Sequence, residues 1–163
     1  MVDVRCRDGR VLGLVPVPVL GRDGVPYELV LHLAVDGRDA GVVGERCHGV
    51  LTGLLARGTT SALEAGVRAA GGDWPALAPY LPRDRELLAL RARDPDDLPG
   101  GAALRAVLDV RRTWSGGRWE AAAQVRLEAW AEDGTGVLAD LAPQALLDLA
   151  ARLLQEGERA ASG

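Results

Sequence analysis

Lysine, asparagine, isoleucine and phenylalanine are missing from all 163 residues of the chain. Their codons are A/U-rich, and Ala, Gly, Val, Leu, Arg and Asp stand in their places, so the absence reads as the mutational bias of a very GC-rich, actinobacterial-type genome. It still constrains chemistry. A chain without lysine holds no Walker A loop, forms no Schiff base and anchors no pyridoxal phosphate. Aromatic residues are scarce as well, at 4%. No run approaches the roughly 18 consecutive apolar residues of a spanning helix. The opening MVDVRCRDGR carries acids and turn residues where a signal peptide carries an apolar core, so a cytoplasmic protein is expected.

What is present fits one globular domain, 1–163. The 19 basic residues are all arginine and lie singly among 23 acids, for a net charge of -4. Nucleic-acid binders show clustered positive charge, so this scatter counts against DNA or RNA as a partner. Cys6 and Cys47 are too few and too far apart for a paired-CxxC zinc site, and both are expected to be free thiols.

Periodicity divides the chain into two similar halves, 1–72 and 84–157, joined by a Pro-rich connector, 73–83, with Pro75, Pro79 and Pro82. In the first half, Val2 to Arg7, Val11 to Leu20 and Tyr27 to Val35 predict three strands, turned at Asp8-Gly9 and Asp23-Gly24. Pro16 and Pro18 donate no ladder hydrogen bond, which predicts an edge or a bulge there. The period then changes to 3.6. Cys47, Val50, Leu51, Leu54 and Leu55 stripe a helix over 45–57 closed by Gly58, and the capping box Ser61-Ala62-Leu63-Glu64 opens a second helix.

The second half predicts a strand at 86–93, an acidic turn at Asp94-Pro95-Asp96-Asp97, and a long hairpin around Gly116-Gly117. With that two-residue loop, Trp114 faces Trp119, Val110 faces Ala123, Leu108 faces Val125, Ala106 faces Leu127 and Leu104 faces Ala129, all apolar. Arg105 faces Glu128 on the other side. A one-residue slip would turn the apolar set outward, so the register is strongly specified. A strand over 136–139 and a helix from Pro143 to Gly157, with a frayed tail, complete the half. The expected fold class is α+β, a pseudo-duplicated βββα plan with mostly antiparallel sheets backed by helices.

The order of elements resembles small uncharacterised actinobacterial proteins of about this length, through VDVRCRD, YELVLHLAVDG, RDRELLAL and RWEAAAQVRLEA. It also resembles the SsgA-like proteins of sporulation and cell division, through VPVPVLGRDGVPYELVLHLAVDG and EDGTGVLADLAPQALLDLAARL. The aromatic-rich first helix of that family is replaced here by GERCHGVLTGLLARG. Both resemblances imply a protein-binding role without enzymatic activity, and neither carries catalytic residues onto this chain.

The residues themselves supply few catalytic constellations. The only imidazoles are His32 and His48, and the only serines are Ser61, Ser115 and Ser162. Cys47 and His48 are neighbours on a helix and diverge by about 100°. Glu28 and Glu128 sit in alternating polar faces, where charge is ordinary. Asp94, Asp96 and Asp97 lack the spacing of a calcium loop and read as a solvated turn. No metal, cofactor or catalytic residue is expected.

The tryptophans are more informative. Trp114 and Trp119 pair on the core face and read as structural. By parity Trp130 falls on the opposite face with Arg105, Arg126 and Glu128. An exposed tryptophan flanked by arginine has the composition of an interface hot spot; a helix covering that face is the alternative. The expected function is a non-enzymatic protein-interaction module contacting its partner through Trp130, Arg126, Arg105 and Glu128. A small-molecule-binding domain or metal-independent enzyme with a pocket between the sheets is the second reading. An unpaired outer strand could also pair with a copy of itself, making a homodimer.

Overall fold

A computed structural model of the chain describes residues 1–44, 46–58, 86–91 and 101–163, with backbone alone at 110–113 and 118–123. The helix expected from Ser61, the connector 73–83 and the acidic turn at 94–97 lie outside the described residues. The fold is α+β. Strands β1 (Val2–Arg5), β2 (Val11–Leu20), β3 (Pro26–Val35) and β4 (Arg38–Val43) form one antiparallel meander, followed by helix α1 (Cys47–Arg57). Strands β5 (Glu86–Arg91), β6 (Ala103–Ser115), β7 (Arg118–Trp130) and β8 (Gly136–Leu141) form the second, followed by helix α2 (Pro143–Ser162). The described elements thus repeat one ββββα order. No helix among the described residues is long and apolar enough to cross a membrane.

The long hairpin pairs as its alternation dictates. Leu104 meets Ala129, Ala106 meets Leu127, Leu108 meets Val125 and Arg105 meets Glu128. Gly116 and Gly117 both take positive φ, 58° and 81°, as a two-residue loop of the favoured hairpin hand requires. Trp114 corrects the expectation of a core tryptophan, for it is 61% exposed. The hairpin outruns its neighbours: β5 pairs with Ala103–Val107 and β8 with Val125–Trp130, so the loop end projects as a two-stranded ribbon among the described residues.

Strand β4 is a second correction, since three strands were expected before α1. Asp36 and Gly37 both have positive φ, 50° and 75°, and form the tight turn between β3 and β4. The Asp-Gly signal was present, but the strand behind it does not alternate. Gly41, with φ of +110°, breaks the pattern beside a register shift at Leu33/Ala34. The prolines of β2 obey the edge rule. β1 pairs with β2 only as far as Leu14, so Pro16 and Pro18 occupy the stretch where β2 has β3 alone beside it.

The two sheets meet at both ends of the strand order. Gly44 donates its amide to the Arg91 carbonyl at 2.9 Å, and Glu132 donates to Ala40 at 3.3 Å. At the other seam Arg7 donates its amide to Leu138 at 2.8 Å, and its guanidinium grips Asp140 through two hydrogen bonds of 2.5 Å. Gly41 is required by this closure: a Cβ there would stand 2.7 Å from Ala102 Cβ. The inner faces of the sheets and the apolar stripes of α1 and α2 share one core. Among the described residues its largest fully buried side chains are all leucines, including Leu14, Leu33, Leu108 and Leu153, as suits a chain without isoleucine or phenylalanine.

The helices show the same logic. Cys47, Leu51 and Leu54 bury the expected stripe of α1. Arg46, which precedes the helix, has no side-chain acceptor for its first amides, and Glu28 of β3 supplies one instead, accepting from the His48 N–H at 2.8 Å. Helix α2 continues through Gly157 to Ser162, contrary to the expected stop and frayed tail. Gly157 faces Leu29 rather than ending the helix, and no proline follows to break it. Ser162 Oγ donates to the Glu158 carbonyl and holds the last turn.

Candidate functional site

Alternation along β6 and β7 turns Arg105, Arg126, Glu128 and Trp130 to the face opposite the core. Antiparallel register sets Arg105 directly across from Glu128 and Ala103 across from Trp130. Glu128 Oε2 accepts from Arg105 Nε at 3.0 Å and Nη2 at 2.8 Å, while Oε1 accepts from Arg126 Nε at 2.5 Å. Both carboxylate oxygens are therefore occupied by charged donors. This explains how Glu128 is buried, at 6% exposure, on a face where its arginine partners stay more than a third exposed. Arg105 also approaches Glu86 of β5 at 3.9 Å.

Trp130 completes the cluster. The Arg105 guanidinium lies 5.8 Å from the centroid of its ring, within cation–π range. On β8, opposite Trp130, stands Gly136, and a Cβ there would come 3.4 Å from the indole Cδ1. Trp130 remains 37% exposed and Leu138, the β8 neighbour of Glu128, 38% exposed. The four residues expected at the site are thus brought together. Glu86, Gly136 and Leu138 were missed; their signal was the same alternation, carried across to the flanking strands.

The nucleophiles lie elsewhere. Cys47 is fully buried on α1, and burial pushes its thiol up to about 12, with Glu28 adding a smaller contribution of the same sign. Burial likewise raises the Cys6 thiol. Such thiols remain protonated near neutrality and attack poorly. His32 is exposed on the outer face of β3, across from Val15 and Val42. Glu28 and Glu128 belong to different sheets, where one caps α1 and the other holds two arginines. Among the described residues no three of His, Cys, Asp and Glu are placed to hold a metal ion.

The cluster of Arg105, Arg126, Glu128 and Trp130 offers stacking surface, directed cationic donors and adjacent apolar area. Its ion pairs fix the guanidinium that lies against the indole. Comparison with known proteins gives no match to a family model, to a curated protein or to a solved structure.

Proposed function

We propose that the chain is a non-enzymatic protein-interaction module whose contact surface is the outer face of the β5–β8 sheet. The observation that carries this reading is the cation–π approach of Arg105 to a partly exposed Trp130, with the same guanidinium held by the buried Glu128. Tryptophan and arginine dominate interface hot spots. A guanidinium already ordered by its carboxylate loses less conformational freedom when a partner docks, so more of the contact energy appears as affinity. The resemblance to SsgA-like proteins points the same way.

Tagged co-purification from the native organism tests the reading, with wild type, Trp130→Ala and Arg105→Ala compared at matched expression. A stoichiometric partner retained by wild type and lost by Trp130→Ala, with circular dichroism unchanged, supports it. A partner held equally by all three moves the interface to another surface.

A further inference from the structure

The β2–β3 hairpin, the first turn of α1 and the last turns of α2 enclose a cleft of about 340 Å³. Small-molecule sites commonly occupy roughly 300–1,000 Å³ and combine apolar walls with a few placed polar groups. Apart from Glu28, the buried and half-buried part of this cleft is apolar, with Pro18, Leu29, Leu154 and Ala161 forming most of it. Tyr27, Glu158 and His48 stand at its exposed rim, with Tyr27 63% exposed, and the half-buried Glu28 sits in its wall.

The charge in the cleft has one sign. Glu28 and Glu158 both line it, and among the described residues no arginine does, although the chain has 19. Five acids outside the cleft, Asp8, Asp140, Glu86, Glu128 and Glu156, each lie within ion-pair distance of an arginine. Glu28 and Glu158 have no such partner among the described residues. Glu28 is also held in place. Its Oε1 accepts from the Leu29 and His48 amides at 3.0 and 2.8 Å, leaving Oε2 without a donor among the described residues. Two carboxylates without an arginine partner beside low-dielectric walls concentrate negative potential where a cation could rest.

We infer that this cleft binds a small amphipathic organic cation, its ammonium or guanidinium head placed by Glu28 and Glu158 and its apolar body on Pro18, Leu29, Leu154 and Ala161. The Tyr27 ring adds a face for the same cation. This site is separate from the outer face of the second sheet and stands or falls independently of the function proposed for that face.

The test uses the full chain and three probes sharing one aromatic body: phenethylammonium, neutral 2-phenylethanol and anionic 3-phenylpropionate. Titration is followed through the backbone amide resonances of Leu29, His48 and Gly157. Phenethylammonium is expected to shift these saturably, 2-phenylethanol to bind about tenfold more weakly, and 3-phenylpropionate to leave them unmoved. Glu158→Gln is expected to weaken the cation about threefold, as an exposed charge does, and Glu28→Gln about tenfold. Glutamine keeps an acceptor for the His48 amide, so the helix cap survives the second change. Equal binding of the neutral probe, cation affinity unchanged in both variants, or no shift of these amides with any probe would overturn the assignment.

Discussion

Gly157 of α2 lies so close to Leu29 of β3 that a Cβ on the glycine would stand 2.6 Å from the leucine Cδ1. Leu29 is 4% exposed and packed in the core, so it has little room to retreat. Two effects oppose each other in Gly157→Ala. Helix propensity favours alanine by about 1 kcal/mol, while overpacking a core contact costs about 1–3 kcal/mol. The variant is expected to be destabilised by about 1 kcal/mol in urea unfolding. In a Leu29→Ala background the same change should become neutral or stabilising, because the space it needs has been opened. A stabilised single variant would show that α2 shifts away from β3 at no cost.

Glu128 is the shared acceptor of Arg105 and Arg126, so its removal releases both. The arginines are more than a third exposed and can be rehydrated, which limits the loss. Glu128→Ala is expected to cost about 1–2 kcal/mol. An Arg105/Glu128 double-mutant cycle should give a coupling of about 1 kcal/mol. Additive single effects would mean that the pair contributes no net stability.

The cap on α1 comes from a different strand. Glu28→Ala takes the acceptor from the His48 amide and is expected to lower stability by about 1 kcal/mol, while Glu28→Gln should retain most of it. Hydrogen exchange should localise the change to the first turn of α1. Uniform exchange across the chain would argue against a local cap.

Cys47 provides a pH signature. Its thiol has an ordinary value of 9.0 and is pushed up to about 12 in the folded chain, by burial first and then by Glu28. Above pH 9 the unfolded chain loses this proton before the folded one does. The contribution is therefore fully present below pH 9 and is lost as pH rises from 9 towards 12. At pH 10.5 wild type is expected to have lost about 2 kcal/mol more than Cys47→Ala, each measured against its own stability at pH 8. Iodoacetamide should likewise fail to label Cys47 in the native state at pH 8. Parallel stability–pH curves for the two proteins would exclude a raised thiol.

Strand β4 shows where local reading ended. The Asp36-Gly37 turn was legible, yet Gly41 and the bulge beside it erased the alternation that identifies a strand. Gly157 shows the same limit in a helix. Glycine near a helix end reads as a stop, and only the approach of Leu29 makes it an interior contact. Glu28 carries no local mark of a helix cap, because the amide it accepts lies 20 residues away.

The sequence by itself determined the turns at Asp8-Gly9, Asp23-Gly24 and Gly116-Gly117, the period of the described elements other than β4, and the whole β6–β7 register. These depend on backbone preferences and on side chains that alternate with period two, both encoded within a few residues. Placing Arg105, Arg126, Glu128 and Trp130 on one face followed from the same alternation. Tertiary structure decided what depends on distance between remote segments. It set the closure of the two sheets through Gly44 with Arg91 and Arg7 with Leu138, the exposure of Trp114 on a hairpin longer than its neighbours, and the convergence of Glu28 and Glu158 on one cleft. Such contacts join residues far apart in the chain, and their geometry is fixed only when the shared leucine core brings sheets and helices together.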